Sequence, residues 1–129
     1  MSSVNTLLAV KDLMNRDIVK TAKDSKVTEA ARMIEAHKVS SVIIVDLNEK
    51  MVGIVTDNDI VTKVVAEAKD PSKVSVEDIM IPEIHLINGE SSIFEARAKM
   101  AKSGVKHLIV EVGGKPMGLI SSTSLLGGV

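Results

Sequence analysis

The sequence contains no cysteine, no tryptophan and no tyrosine, and only one phenylalanine. Without cysteine there is no disulfide framework, thiolate metal site, iron–sulfur cluster or cysteine nucleophile. With one aromatic ring there is no platform for stacked bases and no cage for a quaternary ammonium group. An excess of one charge is missing as well. Sixteen Lys and Arg stand against seventeen Asp and Glu, a formal net charge of −1, which leaves no basic footprint for nucleic acid. Long apolar runs are also absent. The run Val42-Ile43-Ile44-Val45 falls far short of the roughly 20 residues that a membrane-spanning helix needs. The opening residues carry neither a basic leader nor a long apolar stretch. Together these absences lead us to expect a cytoplasmic protein with neither nucleic acid nor membrane as a partner.

What is present is ordinary for a globular chain: 129 residues, 45% hydrophobic and 26% charged. A chain of this size buries roughly two-thirds of its unfolded surface and can build a core unaided.

The informative feature is internal repetition. With the sequence displaced by 66 positions, Val10, Asp12, Met14, Ile18, Ser25, Glu29, Ala30, Val39 and Ile43 fall on Val76, Asp78, Met80, Ile84, Ser91, Glu95, Ala96, Val105 and Ile109. Chance gives about two or three identities over such a window at average residue usage. Beyond the turn at 47–50 the displacement falls to 65, and Gly53, Thr56 and Ile60 meet Gly118, Ser121 and Leu125. A one-residue change in a loop accounts for the slip.

Each copy predicts the same elements in the same order. A helical turn (Lys11 to Met14, Glu77 to Met80) precedes a short extended stretch (Ile18 to Thr21, Ile84 to Ile87). An amphipathic helix follows, with Val27, Ala30, Ala31 and Ile34 on one face in the first copy and Ile93, Ala96 and Met100 in the second. Ser25 is the expected N-cap of the first helix and Gly104 the stop of the second. Two strands then form a hairpin: Val42–Val45 with Met51–Thr56, and Leu108–Val112 with Met117–Ser121. A closing helix begins near Asp57 and is expected to carry Ile60, Val61, Val64, Val65 and Ala68 on one side. Asp70-Pro71-Ser72 ends it. The equivalent helix of the second copy has barely begun at Gly127-Gly128-Val129.

The expected architecture is α+β, two β-α-β-β-α repeats of the α/β type. Residues 1–9 form an N-terminal segment, 10–68 the first repeat, 69–75 a linker and 76–127 the second repeat. One such unit alone is marginal. Two copies packed sheet to sheet about a pseudo-twofold axis would bury both apolar faces.

In order and in duplicate, these pieces resemble a tandem pair of cystathionine-β-synthase (CBS) domains, a Bateman module. The resemblance rests on Asp12-Leu13-Met14, Val27-Thr-Glu-Ala-Ala-Arg-Met-Ile34, Lys38-Val39-Ser40-Ser41-Val42-Ile-Ile-Val-Asp46 and Gly53-Ile-Val-Thr-Asp-Asn-Asp-Ile60. The second copy adds Asp78-Ile79-Met80, Ile93-Phe-Glu-Ala96, Gly104-Val-Lys-His-Leu-Ile-Val110 and Gly118-Leu-Ile-Ser-Ser-Thr-Ser-Leu125. It covers about residues 8–127.

The resemblance implies a regulatory, non-catalytic sensor. Its ligand would be adenosine-containing (AMP, ADP, ATP or S-adenosylmethionine, in some cases NAD(H)), held in a cleft between the repeats. No cofactor or metal is implied. The implied partners are a second copy of the chain, as a homodimer, and a regulated protein whose identity the sequence leaves open.

Thr56-x-x-Asp59 matches the family's ribose-binding element. One carboxylate can accept both ribose hydroxyls in charge-assisted hydrogen bonds. Asn58 and Ser40 join this ribose and phosphate set, with Lys106 as the phosphate cation. Ile54, Leu86 and Val105 supply the adenine slot. A second, weaker cleft takes Lys20, Val39, Ser121 and Ser124, where Ser121-x-x-Ser124 lacks the family's acid. Asp59→Ala is expected to abolish nucleoside binding and leave folding intact.

Spacing alone gives Thr56-x-x-Asp59 a second reading, a capping box with Thr at the N-cap and an acid at N3. The two roles are compatible. The missing acid at Ser124 also leaves open a ligand-free dimerisation or interaction module. His37, His85 and His107 show no metal-binding spacing, and Gly114-Lys115-Pro116 is a turn, not a phosphate loop. No nucleophile–base set has supporting local sequence.

Overall fold

The computed structural model describes residues 8–127, with side chains through Leu125; residues 1–7 of the N-terminal segment, and Gly128 and Val129, lie outside the described residues. The elements in chain order are α1 (Val10–Leu13), β1 (Lys20–Ala22), α2 (Val27–His37), β2 (Ser41–Val45), β3 (Met51–Thr56) and α3 (Asp57–Ile60). A π-helical turn (Val61–Val65) and a 3-10 turn (Val76–Asp78) follow. Then come β4 (Leu86–Asn88), α4 (Ile93–Ser103), β5 (His107–Val112), β6 (Lys115–Ser121) and α5 (Ser122–Gly127). The fold is mixed α+β with two three-stranded sheets, ordered β1-β2-β3 and β4-β5-β6.

The described residues divide into two compact units, residues 19–84 and residues 8–18 together with 85–127. In the first unit β1 pairs parallel to β2, with Lys20 opposite Ile43, and β2 pairs antiparallel to β3, with Ser41 opposite Thr56. A parallel pair needs a crossover, which α2 provides. Every residue of the central strand, Ser-Val-Ile-Ile-Val, is buried. Val42, Ile44 and Val55 from the sheet meet Val27 and Ala30 from α2 and Val64 from the π turn in one core. The turn between β2 and β3 is tied by Asp46, whose carboxylate accepts the backbone N–H of Lys50 and of Asn48. The Lys50 bond leads in holding the Asp46 carboxyl below its ordinary range.

The second unit repeats the plan. Leu86 stands opposite Ile109 in the parallel pair, and His107 opposite Ser121 in the antiparallel pair. Gly113 and Gly114, at φ +62 and +79, make the β5–β6 turn in the left-handed region that glycine tolerates. α4 opens with a capping box that the helical stripe did not reveal. Ser92 Oγ accepts the Glu95 N–H at 3.1 Å, and Glu95 Oε1 accepts the Ser92 N–H at 3.0 Å. Ser92→Ala is expected to lower stability by about 1 kcal/mol, measured by urea denaturation at an unchanged m value.

The packing units are offset from the sequence repeat. α1 opens the first repeat, yet Val10 lies in the core formed by Ile87, Ala96, Leu108, Val110 and Ile120 of the second. The 3-10 turn opens the second repeat, yet Val76 and Ile79 lie in the core of the first. Backbone bonds fix both crossings. Ile54 and Ile81 exchange N–H···O bonds of 2.9 and 2.8 Å, and Asn15 and Leu119 exchange bonds of 2.8 and 2.9 Å. The outer edges of β3 and β6 thereby gain a partner, which unpaired strand edges require.

Two local expectations need correction. The N-cap of α2 is Lys26, not Ser25, and no side chain caps it. Ser25 is instead drawn into tertiary contacts: its hydroxyl pairs with Thr21 Oγ1 at 2.7 Å and its carbonyl accepts the Val76 N–H at 2.8 Å. The closing helix is not a single one-sided stripe. Val64 is buried and Ile60 half-buried, but Val61 and Val65 are 56% and 65% exposed. Adjacent helical residues point about 100° apart, and the change from α to π winding at Val61 breaks the 3.6-residue period assumed for the stripe.

Candidate functional site

The Thr56–Asp59 element lies where β3 turns into α3. Thr56 is extended (φ −104, ψ 164) and is the N-cap of α3. Its hydroxyl accepts the Asp59 N–H at 3.1 Å. Asp59 Oδ2 in turn accepts the Thr56 N–H at 2.9 Å and the Thr56 hydroxyl at 3.0 Å. The capping box foreseen from spacing is therefore formed. It holds the carboxylate almost entirely inside, with Asp59 only 4% exposed.

A residue that the sequence analysis did not single out completes this arrangement. Lys63 Nζ lies 3.1 Å from Asp59 Oδ1, and it also donates to the Ile79 carbonyl at 2.9 Å. An acid four residues before a lysine is the favourable helical order for such a pair, so the spacing was a usable signal. The Ile79 contact was not foreseeable, because it reaches across 16 residues to the segment after the 3-10 turn.

Ser40 stands next to this junction: its carbonyl accepts the Asp57 N–H at 3.0 Å, and the next residue, Ser41, pairs with Thr56. Asn58 is exposed on the first turn of α3, and its carbonyl accepts the Thr62 hydroxyl at 2.8 Å. Ile54, buried, lies two residues before Thr56 on β3 and is tied to Ile81. Lys20 is exposed on β1, and Val39 is half-buried against the core. All of these belong to the unit 19–84.

The remaining expected residues belong to the other unit. Lys106 is exposed just before β5, and its carbonyl accepts the Ser122 N–H at 2.9 Å, repeating the Ser40–Asp57 bond. Val105 packs against that unit's core. Leu86 is half-buried on β4, and its carbonyl accepts Lys99 Nζ. Leu86 also lines a cavity of about 300 Å³ with Asn88, Ser91, Glu95, Lys99 and Glu111. Ser121 and Ser124 repeat the capping geometry without a carboxylate: their hydroxyls are 2.9 Å apart, and Ser124 N–H donates to Ser121 Oγ at 3.1 Å. Neutral hydroxyls there make only weaker, uncharged bonds.

Among the described residues, no group of three or more His, Asp or Glu side chains is placed to hold a metal ion. No helix among them is long and apolar enough to cross a membrane.

Comparison with known proteins bears on the whole chain. The CBS domain family matches it twice, at residues 10–66 and 76–129. A curated relative, an uncharacterized protein of Methanopyrus kandleri, is 29% identical over 92% of this chain. The chain spans 61% of that protein's length, and 22% of the length of a CBS domain-containing protein of Arabidopsis thaliana that it also matches. Among solved structures, a CBS-domain containing protein from Agrobacterium tumefaciens superposes with a TM-score of 0.83 at 27% identity, covering 96% of this chain and 95% of that one. A hexameric CBS-CP12 protein from bloom-forming cyanobacteria superposes with a TM-score of 0.84 at 27% identity, covering 92% of this chain and 69% of that one.

Proposed function

This chain belongs to the CBS-domain family, in two tandem copies, and we propose that it is a regulatory, non-catalytic sensor of an adenosine-containing nucleotide. AMP, ADP, ATP and S-adenosylmethionine are the candidate ligands. The observation that carries the reading is the buried Asp59 carboxylate, held in place by Thr56 where β3 meets α3. A preorganised carboxylate accepts the two hydroxyls of a ribose without first losing side-chain freedom. In this reading Ser40 and Asn58 border the ribose and Ile54 meets the base. The signal is a change of arrangement in a cytoplasmic homodimer, read by a regulated protein. A ligand shifts such an equilibrium only by binding one arrangement better. The exposed Val61 and Val65 side chains support the assembly part of the proposal.

The test is a thermal-shift series with AMP, ADP, ATP, S-adenosylmethionine and NADH, with guanosine and cytidine nucleotides as controls. A ligand at 100 times its dissociation constant adds about 2.7 kcal/mol. For a chain of this size the melting temperature then rises by roughly 8–12 °C. An adenosine-specific rise supports the sensor. No rise at millimolar concentration overturns it in favour of a second reading, a ligand-free dimerisation and interaction module. One observation favours that second reading: both carboxylate oxygens of Asp59 already have donors from the chain itself.

A further inference from the structure

The donors around Asp59 leave too little room for a ribose. An ionised carboxylate offers about four lone-pair positions. Three are taken, by the Thr56 N–H and hydroxyl on Oδ2 and by Lys63 Nζ on Oδ1. Bidentate capture of two adjacent hydroxyls needs two positions, so one existing donor must leave. The two Thr56 donors belong to the reciprocal capping box, where the Thr56 hydroxyl also receives the Asp59 N–H. Lys63 is bound by no such closed ring, and its side chain is 43% exposed, against 6% for Asp59. It is the donor that can withdraw.

We infer that Lys63 is an internal competitor for the ribose position, and that its displacement reports occupancy of Asp59 to the segment following the 3-10 turn. This rests on the reading of Asp59 as the ribose acceptor. The second half follows from the other bond of the same ammonium group. Lys63 Nζ holds Asp59 Oδ1 and the Ile79 carbonyl at once, at 3.1 and 2.9 Å. Ile79 directly follows the 3-10 turn, and two residues later Ile81 makes its two-way backbone bridge to Ile54. A lysine displaced from Asp59 keeps only its bond to the Ile79 carbonyl, which then lacks the carboxylate that helps hold the ammonium group in place. Ligand entry at β3–α3 thus loosens the stretch 79–81, the last part of this unit before its boundary at Ile84. Lys63 acts through Asp59 and is a positioning residue, not a group that touches the base.

The test uses adenosine, which has a ribose and no phosphate for a lysine to attract. Binding is measured by calorimetry for the wild type and Lys63→Met, and hydrogen exchange is followed over residues 76–81 with and without adenosine. We expect Lys63→Met to bind adenosine about tenfold more tightly, the scale of one charge-assisted bond no longer opposed. In the wild type, exchange at 76–81 should quicken when adenosine is added. In Lys63→Met it should be fast already and unresponsive. Lys63→Arg, which keeps the cation, should behave as the wild type. Lys63→Gln serves the same comparison as Lys63→Met if the latter does not fold. If the wild type binds adenosine but Lys63→Met binds it equally or more weakly, the competition is overturned and the ribose reading stands. If exchange at 76–81 in the ligand-free variant equals the wild type, the tether is overturned whatever the ligand. If the wild type binds no adenosine, the ribose reading fails and the inference falls with it.

Discussion

Replacing Gly53 by alanine should lower stability by about 2 kcal/mol, the middle of the range for an overpacked core. At this chain length that is a fall in melting temperature of roughly 6–10 °C. A Cβ at Gly53 would lie 2.9 Å from the Ile81 carbonyl oxygen and 2.9 Å from Met80 Cγ, and would press on Met80 Sδ as well. The methionine can turn aside, since its side chain is flexible. The Ile81 carbonyl cannot, because it accepts the Ile54 N–H while Ile81 N–H donates back to Ile54. The added methyl group therefore strains the bridge that pins the segment 79–81 to β3. Gly118 repeats the arrangement, with an added Cβ 2.8 Å from Met14 Cγ and 2.9 Å from the Asn15 carbonyl. In a double-mutant cycle, Gly53→Ala with Met80→Ala should cost less than the sum of the single changes. A Gly53→Ala protein that melts with the wild type would mean that residues 80–81 do not lie against β3.

The second large effect is at Asp59. Asp59→Ala should weaken adenosine nucleotide binding about 100-fold or more, from the loss of two charge-assisted hydrogen bonds to ribose. The geometry adds a cost that the sequence-based expectation of intact folding omitted. The substitution breaks the capping box and leaves Lys63 without its carboxylate, so stability should fall by about 1 kcal/mol. Asp59→Asn separates the two effects. It keeps an oxygen acceptor for the Thr56 N–H but removes the charge. Its melting temperature should stay closer to the wild type while most of the affinity is lost. Equal nucleotide affinity in Asp59→Asn and the wild type, by calorimetry, would overturn the ribose assignment.

The capping geometry at Thr56 and Asp59 was legible because local chemistry specifies it. Thr at an N-cap and an acid three residues later specify their own geometry within one turn of helix, and the structure forms that geometry at Thr56 and Asp59. The same holds at Ser121 and Ser124, where the hydroxyls pair as a shortened version of the motif. Ser25 misled for the opposite reason. An isolated Ser before a helix satisfies the capping preference, but competition from Thr21 and Val76 draws it elsewhere. Lys63 was half legible: its i,i+4 relation to Asp59 is local, while its bond to Ile79 depends on the 3-10 turn packing into the first core.

By itself the sequence determined the content of each half: the order of elements, the central buried strands, the two-glycine turn at Gly113 and Gly114, and the duplicated β3–α3 motif. All of these follow from short-range periodicity and turn chemistry, which a repeat displays twice. Only the tertiary structure decided where one packing unit ends and the next begins. A repeat has a period but no phase, so the turn at Val10–Leu13 fits the second core as well as the first by composition alone. Val10 enters the core beside Leu108, and Val76 the core beside Val42, because Asn15 and Ile81 fill the free edges of β6 and β3. The glycines that admit Met14 and Met80 at those edges are marked in the sequence only as matching positions. Their purpose is a distance between backbones that no pattern of residues states.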